Sequence, residues 1–381
     1  MSAAFRGTAA GLGAEFFRGA QAYYDEVNAR GGVYGRRIAV HALDDGYEPL
    51  PCVRNTIRLI EADGVFCLSN YVGTPTLTRA LPVLKRYAEH QVLLVGNFTG
   101  AQPQREPPYV DQVFNVRASY RQEMIALVDR LWQQGARRFG VFYQIDAYGR
   151  SGVDGAARGL AARGARIAAE ATYARGARFE DDMRPAVTAL RRADVEVVLC
   201  TGVYQGCGAF IRAARDSGWH VPITNLSFVG SEAMLQLLLA RGRTAGRDYT
   251  RGLVTSQVVP SYDDLALPAV AEYRRLMERH HPAIPEPLRD PSYAPQKQSF
   301  ISLEGFVNAK VLVEGLRRAG PTPTRAGFRQ ALESLRNVDI GIGAPLTFGR
   351  ERHQGLDEVY FTRVEGERWV PVTDWSAALR A

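Results

Sequence analysis

The 381-residue sequence is poor in cysteine, in recognisable catalytic motifs and in long apolar runs, and each shortage excludes a class of protein. Its four cysteines form no CxxC pair and show no metal-ligand spacing, so neither a zinc site nor a redox dithiol is predicted. Cys67 and Cys200 lie in apolar, strand-like runs, where buried free thiols are expected. The sequence leaves open whether Cys52 and Cys67 form a disulfide, because spacing alone does not decide it.

Cofactor and catalytic signatures are also missing. Gly11-Leu12-Gly13 resembles the start of a dinucleotide fingerprint, but the third glycine and the preceding strand are absent. His280-His281 falls at a predicted helix end with no third ligand in view, which favours a charged helix end over a metal site. No nucleophile is spaced with a base. We therefore expect no cofactor, no metal and no enzymatic activity.

The basic excess is diffuse. Lysine and arginine total 47 residues, only three of them lysine, against 40 acidic residues, and they are spread along the whole length. Because a polyanion binder concentrates its basic residues, we expect no nucleic-acid partner. No run approaches the roughly 18 apolar residues of a membrane span, and residues 1–7 lack the apolar core of an export signal. As it stands, the sequence predicts a soluble chain that is not exported.

What the sequence does contain is alternating β-branched runs and amphipathic stretches, the pattern of βα units on a mostly parallel sheet. With 46% hydrophobic residues, the chain can bury two or three domain cores. A first series predicts helices at 14–30, 51–62 and from Thr74, and strands at 38–42, 65–68, 92–95 and 113–116.

A second series begins with a helix from Ser119, for which Gln122 is the capping-box partner. Two separate doubly wound sheets therefore fit better than one. Residues 282–298 contain five prolines and are predicted to form a surface loop. The remaining predicted elements are strands at 139–143, near 167, at 195–200, near 223 and at 252–260, helices from 151, 180 and 205 and at 267–280, 300–318 and 325–335, and a hairpin of 358–364 with 368–372.

The segment Ser69-Asn-Tyr-Val-Gly-Thr-Pro-Thr76 joins a strand end to a helix start. Thr74 is the expected N-cap and Pro75 suits the first helical position, so free amides and hydroxyls would form an anion cradle. A capped helix without a ligand is an equally good interpretation of this segment alone. Comparable strand ends with aromatic and polar residues occur at 96–101, 144–149, 201–204 and 225–228, and open α/β sheets bind ligands at such edges.

Taken together, these motifs resemble the type I periplasmic solute-binding proteins of ABC importers, in the leucine/isoleucine/valine-binding branch. The resemblance rests on residues 26–35 (EVNARGGVYG), 44–49 (DDGYEP), 73–76 (GTPT), 114–120 (FNVRASY), 144–149 (QIDAYG) and 302–305 (SLEG).

The resemblance implies two doubly wound, mostly parallel, three-layer α/β lobes joined by three crossovers. The lobes are expected at 1–117 with 256–335, and at 118–255 with 336–381. It also implies a monomer in the periplasm that closes by hinge motion over a small organic solute and delivers it to a membrane permease.

The resemblance further implies a set of ligand contacts. A carboxylate-binding hydroxyl is expected at Thr74 or Thr76, with Tyr71 in the same segment. Ser227 occupies the position where amino-acid binders carry an acid opposite the ligand ammonium, unless Asp146 supplies that charge. We therefore expect a small carboxylate or amide, with a branched-chain amino acid as the close alternative. The other expected contacts are an amine-binding carbonyl and hydroxyl at Phe98, Thr99 and Gly100, and aromatic contacts at Tyr148, Tyr204 and Phe228.

Other interpretations remain open at this stage. A sensory subunit could use the same ligand-closed form, and an enzyme could use the same cleft. A sugar-responsive repressor shares the fold but needs an amino-terminal DNA-binding helix pair. Family members begin with an export signal and a strand ahead of the segment matching residues 2–7, so we expect the natural start to lie upstream of Met1.

Overall fold

The computed structural model describes residues 1–380, which form a mixed α/β protein of two compact units. Unit 1 contains Met1–Ala118 and Val259–Glu358. Unit 2 contains Ser119–Val258 and the residues from Val359 onward. The chain therefore passes from one unit to the other three times, and each unit is assembled from segments distant in sequence.

Unit 1 has short parallel strands flanked by long helices, as the α/β class predicts. Strands β1 and β2 pair in parallel, β3, β4 and β5 form a parallel three-stranded sheet, and β11 pairs with β12 antiparallel. The elements of unit 1 are β1 (Ser2–Ala3), α1 (Ala10–Ala29), β2 (Leu43–Asp44), α2 (Pro49–Glu61), β3 (Leu68–Ser69), α3 (Thr74–Arg86), β4 (Leu94–Val95), β5 (Val113–Phe114), α9 (Pro268–His280), α10 (Phe300–Ala319), α11 (Arg325–Glu333), β11 (Val338–Asp339) and β12 (Pro345–Leu346).

Two of the strands predicted for unit 1 do not form at the predicted residues. Residues 38–42 are not a strand, and the strand expected at 65–68 begins only at Leu68. Both segments border one cavity of about 430 Å³, lined by residues 36–41 and 63–67 among others. A strand needs a neighbouring strand for its backbone N–H and C=O groups, but these segments bond to other groups: Ile38 N and O pair with the Asn28 side chain, and Val65 O accepts from Arg325.

Helices α1 and α10 pack closely against each other in unit 1, and glycine permits it. A Cβ on Gly19 would lie 1.7 Å from the carbonyl oxygen of Ser302, and one on Gly305 would lie 2.2 Å from that of Phe16. A Cβ on Gly13 would likewise lie 2.1 Å from the carbonyl oxygen of Ala4. The glycines that resembled a nucleotide fingerprint therefore serve close packing.

Unit 2 is built on one seven-stranded sheet in the order β14-β13-β10-β9-β8-β6-β7. Its first five strands in sequence pair in parallel, and the predicted hairpin adds two antiparallel strands at one edge. The elements of unit 2 are α4 (Tyr120–Gln133), β6 (Phe139–Gln144), α5 (Ala147–Ala161), β7 (Ala169–Tyr173), α6 (Arg184–Arg192), β8 (Val197–Thr201), α7 (Tyr204–Asp216), β9 (Ile223–Asn225), α8 (Ser231–Ala245), β10 (Leu253–Gln257), β13 (Tyr360–Glu365), β14 (Arg368–Pro371) and α12 (Trp375–Ala378).

Helix boundaries in unit 2 follow their capping residues. The predicted capping box of Ser119 and Gln122 is present at the start of α4. The helix expected from Ser151 begins at Ala147, because the carboxylate of Asp146 accepts the first free amides. The sequence analysis did not assign α8, a helix bounded by two left-handed glycines, Gly230 and Gly246.

The third boundary between the units lies at Glu358–Val359, about twenty residues after the predicted one. The predicted assignment of residues 336–358 to the second lobe is corrected, because this segment hydrogen-bonds to the chain after β5. The amide of Asn115 donates to His353 O at 2.7 Å, that of Gly355 to Asn115 O at 2.8 Å, and that of Leu356 to Val116 O at 2.9 Å.

The four cysteines are free thiols, so the disulfide that spacing left open between Cys52 and Cys67 is not formed. Cys52 is fully buried in the core between α2 and α3. No helix within residues 1–380 combines the length and apolar content that a bilayer span requires.

Candidate functional site

In unit 1, the chain segments that follow β3 and β4 bring two threonine hydroxyls together. Val72 and Phe98 form an isolated parallel bridge beyond the strands, and the amide of Gly73 donates to Phe98 O at 3.2 Å. Just past the bridge, Thr74 Oγ1 and Thr99 Oγ1 lie 2.6 Å apart, both buried. One hydroxyl hydrogen serves this bond, so the other can reach a further acceptor.

The first turn of α3 supplies two more donors beside these hydroxyls. The amides of Thr74 and Thr76 have no acceptor within residues 1–380, Pro75 has no N–H, and the Leu77 amide already donates to Gly73 O at 3.1 Å. Free amides at a helix N-terminus favour an anion through both hydrogen bonding and the helix dipole. We call the Thr74 and Thr99 hydroxyls and these two amides the α3 donor group, which therefore suits a carboxylate.

Of the two hydroxyls predicted to bind that carboxylate, one is already engaged. Thr76 Oγ1 donates within its own turn, with Val72 O at 3.0 Å and Gly73 O at 2.9 Å. Thr74 is the hydroxyl of the predicted pair that remains beside the free amides. The sequence predicted Thr74 as the N-cap of α3. In the structure Gly73 is the N-cap, and Thr74 is the first helical residue.

The turn before α3 needs glycine at position 73. The same contact identifies Tyr47, a residue that the sequence analysis missed. The φ of Gly73 is 114°, and a Cβ there would lie 2.7 Å from the ring of Tyr47. Tyr47 is buried at the end of the loop after β2, where its amide donates to Asp45 Oδ1 at 2.9 Å. Tyr47 therefore forms a wall next to the start of α3.

Two of the three carbonyls in the loop after β4, where residues 98–100 were predicted to bind an amine, are already engaged: Phe98 O accepts the Gly73 amide, and Thr99 O has three donors. Thr99 O accepts the side-chain amides of Asn97 and Gln104 at 3.3 Å each, and Arg105 Nη2 at 3.4 Å. A carbonyl with three donors, one of them cationic, is a poor acceptor for a ligand ammonium. Gly100 is buried in the same loop. The group that this loop places beside the start of α3 is the Thr99 hydroxyl, which bonds to Thr74 Oγ1.

Two other predicted residues of unit 1 turn their side chains into the core. The Phe98 ring stacks on Phe16 at 5.0 Å between centroids, with the Arg117 guanidinium 5.5 Å from its centroid. Tyr71 is buried between α2 and α3, where its hydroxyl lies 3.0 Å from Thr56 Oγ1, and burial raises its pKa well above the ordinary value. Their backbones border the α3 donor group, because the Gly73 amide donates to Phe98 O and the Phe98 amide to Tyr71 O.

In unit 2, Asp146 follows β6 and caps α5. Its Oδ1 accepts the amides of Tyr148 at 2.9 Å and Gly149 at 3.3 Å, and its Oδ2 accepts Gln144 Nε2 at 2.5 Å. Burial raises the pKa of Asp146, although these hydrogen bonds and the Arg175 guanidinium lower it. The carboxylate proposed from sequence as a countercharge is therefore already committed to the helix cap.

Next to this cap, three aromatic rings from different elements pack together. Tyr148 lies 4.8 Å from Phe228 and 5.0 Å from Tyr120 between ring centroids, and Tyr120 lies 6.3 Å from Phe228. All three side chains are buried. Of the aromatic residues predicted for this unit, Tyr148 and Phe228 are thus brought together. We call Tyr120, Tyr148 and Phe228 the aromatic cluster.

Tyr204 occupies a neighbouring strand end, after β8, and is the first residue of α7. It is 4% exposed. The preceding amide, that of Val203, donates to the Tyr173 hydroxyl at 2.9 Å. Thr201, the last residue of β8, has a buried hydroxyl with no partner in the described part of the chain. These residues add polar groups to the same carboxyl edge of the sheet.

A carboxylate that the sequence analysis did not single out lies beside the end of β9. Glu123 of α4 is fully buried, and it accepts the Ser227 amide and the Ser227 hydroxyl at 3.0 Å each. The Ser256 hydroxyl in β10 donates to it at 2.7 Å. The predicted site residue Ser227 is therefore bonded directly to an acid that comes from another element.

Comparison with known proteins identifies the family. The family model for periplasmic binding proteins matches residues 1–368. The chain belongs to the periplasmic binding protein family. Its relatives include an amino acid binding protein of Pseudomonas aeruginosa, 25% identical over 213 residues, a match that spans 56% of this chain and 55% of that protein. A Leu/Ile/Val-binding protein homolog 3 of Brucella melitensis is 23% identical, with 88% of this chain and 83% of that protein covered.

Solved structures agree with this assignment. The crystal structure of a possible leucine/isoleucine/valine-binding protein from Rhodopirellula baltica SH 1 is 31% identical, with a TM-score of 0.87 over 100% of this chain and 96% of that one. The predicted family and α/β fold are therefore confirmed, and the chain is a solute-binding receptor by family.

The sequence contained a clear signal for Glu123, one of the two missed residues of this periplasmic binding protein. Glu123 follows a capping box and lies one turn before Leu127 on the buried face of α4, where an acid is unusual. Tyr47 offered a weaker signal, because its position beside Gly73 depends on contacts between separate loops. Within the described residues, no cluster of His, Cys, Asp and Glu is arranged to hold a metal ion.

Proposed function

We propose that this periplasmic binding protein captures a small amino acid of the branched-chain type and delivers it to the permease of an ABC importer. It acts without catalysis, as a monomer in the periplasm. The proposal rests first on the donors at the start of α3, where the Thr74 and Thr99 hydroxyls adjoin two free amides. An α-carboxylate would accept several hydrogen bonds there, each worth about 1 kcal/mol.

Two features support an amino acid over other carboxylates. The relatives from Pseudomonas aeruginosa and Brucella melitensis are named for amino acid binding. In unit 2, the strand ends provide buried aromatic rings together with directed polar groups, the lining expected of a small-molecule site.

The Thr74 hydroxyl provides the first test. Thr74→Val keeps the shape of the side chain but removes its hydroxyl, so we expect affinity for L-leucine, L-isoleucine or L-valine to fall about tenfold. Isothermal titration calorimetry measures the dissociation constants. A thermal-shift series with the same ligands confirms folding and shows stabilisation by mass action.

Thr56→Val is the matched control, because Thr56 is also a buried, hydrogen-bonded threonine of unit 1 but lies in the core beside Tyr71. It should lower stability without changing affinity. Equal affinity losses in both variants would remove Thr74 from the site.

The transport role is tested in cells. Deleting the gene from its source organism should abolish high-affinity uptake of the labelled amino acid that binds in calorimetry, and the wild-type gene should restore uptake. Normal uptake in the deletion strain, accompanied by loss of a transcriptional response to the amino acid, would replace the transport role with a sensory one. Conversion of the bound ligand to a product would indicate an enzyme.

A further inference from the structure

The Thr99 hydroxyl belongs to the α3 donor group, although Thr99 itself lies in a loop. That loop runs from the end of β4 to a short 3₁₀ turn, Pro103–Arg105. Thr99 Oγ1 lies 2.6 Å from Thr74 Oγ1 and accepts the Ala101 amide at 3.3 Å. The position of the hydroxyl therefore depends on the path of the chain from Thr99 to Ala101.

One arginine side chain bonds to both ends of this path. Arg105 Nη2 donates to Thr99 O at 3.4 Å, and Arg105 Nε donates to Ala101 O at 3.1 Å. Because the guanidinium is planar and rigid, its donors hold the two carbonyl oxygens at a set separation. Lysine carries the same charge, but its single, rotatable ammonium lacks this fixed geometry.

The remaining nitrogen of Arg105 connects the loop to two other segments of unit 1. Arg105 Nη1 donates to Arg117 O at 3.2 Å and to Gln354 Oε1 at 2.6 Å. These two segments already pair with each other, since Asn115 and Gln354 form an isolated parallel bridge. Arg105 therefore fixes the path from Thr99 to Ala101 against a part of unit 1 that is itself held by backbone pairing.

Two other side chains bond to Thr99 O without making this connection. Asn97 Nδ2 and Gln104 Nε2 each donate to it at 3.3 Å. Both bonds stay within the loop, so they stiffen the loop without locating it relative to the rest of unit 1. Arg105 supplies the connection to other segments.

We infer that Arg105 is a positioning residue for the ligand carboxylate, acting by orienting the Thr99 hydroxyl rather than by touching the ligand. The inference rests on the proposed function, because the α3 donor group is where we propose that the carboxylate binds. It follows that the shape of the guanidinium, and not its charge alone, sets the affinity.

Calorimetry with L-leucine, L-isoleucine and L-valine provides the first test. Arg105→Met removes the donors and Arg105→Lys keeps the charge, and each should lower the affinity for the tightest of these ligands about fivefold. Thr99→Val removes the hydroxyl itself. In the Thr99→Val background, Arg105→Met should change the affinity less than about twofold, because no hydroxyl is left to orient.

Arg325→Met is the matched control. Like Arg105, Arg325 is half-buried in unit 1 and donates to loop carbonyls, in its case those of Val65, Phe66 and His90 at 2.8–3.0 Å. These carbonyls do not belong to the loop that carries Thr99. The control variant should therefore keep the ligand affinity within about twofold of wild type.

Two calorimetric results would overturn the inference. Wild-type affinity in Arg105→Lys would show that the charge alone is sufficient. An equal effect of Arg105→Met with and without the Thr99 hydroxyl would show that Arg105 acts on the fold in general.

Hydrogen exchange measured by NMR tests the positioning role without a ligand. The Ala101 amide is protected by its bond to Thr99 Oγ1, so it should exchange about tenfold faster in Arg105→Met and Arg105→Lys but at the wild-type rate in Arg325→Met. Unchanged exchange in the Arg105 variants would overturn the inference. A wild-type protein that binds none of the three amino acids would instead overturn the proposed function.

Discussion

Among single residues, Asp45 shows how burial changes the behaviour of a carboxyl group. It is 2% exposed in the loop after β2, and it accepts the Ser2 hydroxyl at 2.7 Å and the Tyr47 amide at 2.9 Å. Desolvation outweighs these bonds and raises its pKa to about 7. The loop that places Tyr47 beside the start of α3 therefore depends on an acid that is half protonated near neutral pH.

The raised pKa of Asp45 predicts a pH-dependent stability. The unfolded chain loses this proton near pH 4, whereas the folded chain keeps it until about pH 7, so the free energy of unfolding should decrease as pH rises between these values. A difference of about three pKa units corresponds to roughly 4 kcal/mol. Urea unfolding measured from pH 4 to 8 gives the slope.

Asp45→Asn should flatten that slope, because the amide keeps an acceptor for the Tyr47 amide and cannot ionise. A residual slope is expected from Glu15, whose pKa burial also raises. If wild type and Asp45→Asn show the same pH dependence, Asp45 ionises normally in the folded protein.

At the scale of elements, the contact between α1 and α10 depends on missing side chains. Gly19 and Gly305 each face a backbone carbonyl of the other helix at a distance that no Cβ can occupy. Glycine weakens an isolated helix by up to about 1 kcal/mol, so these positions trade helix propensity for close packing. The SLEG motif at 302–305 is explained by this contact.

Gly19→Ala should therefore destabilise the protein. The new Cβ would lie 1.7 Å from Ser302 O, a backbone atom, so α1 or α10 must shift. We expect a loss of about 2–3 kcal/mol in the free energy of unfolding, as for other overpacked cores, measurable by chemical denaturation.

Gly327→Ala in α11 is the control, since only the Thr324 side-chain oxygen lies within 4 Å of its Cβ position, at 3.1 Å. It should change stability by less than about 1 kcal/mol, with helix propensity in its favour. A small effect in both variants would mean that α1 and α10 adjust freely.

The proline-rich segment 282–298 is held in place by hydrogen bonds to helix α1. The prediction of a loop is confirmed, apart from a short 3₁₀ turn at Glu286–Leu288. Helix α1 holds this loop: Glu15 accepts the Gln296 amide at 2.9 Å, and Arg18 donates to Gln296 O at 2.7 Å. The loop is therefore a fixed part of the surface of unit 1.

At the scale of the whole molecule, we expect a monomer. Within the described residues, the strongly exposed large hydrophobic side chains are Tyr34, Leu50, Ile145 and Leu265, separated by at least fifteen positions in sequence. A monomer surface normally exposes a few large hydrophobic side chains. Light scattering coupled to size exclusion should give a mass near 42.0 kDa at micromolar concentrations. A mass near twice that value would show a dimer.

Sequence patterns located most helices within a few residues, because caps and apolar periodicity are local. They failed where a strand depends on a partner: residues 38–42 have a strand-like pattern but no neighbour to complete a ladder. In the candidate site, Thr74 and Ser227 were found from sequence, whereas the bonds to Thr99 and Glu123 join positions 25 and 104 residues apart.

The sequence by itself determined the family, the alternation of strands and helices, and the strand ends that carry polar residues, since these follow from short-range patterns of side chains. Only the tertiary structure decided which groups remain free for a ligand. It engaged the Thr76 hydroxyl and the Thr99 carbonyl, and it brought Glu123 to Ser227. The reason is that hydrogen bonding and burial depend on which distant segments meet, and no local pattern in this chain records that.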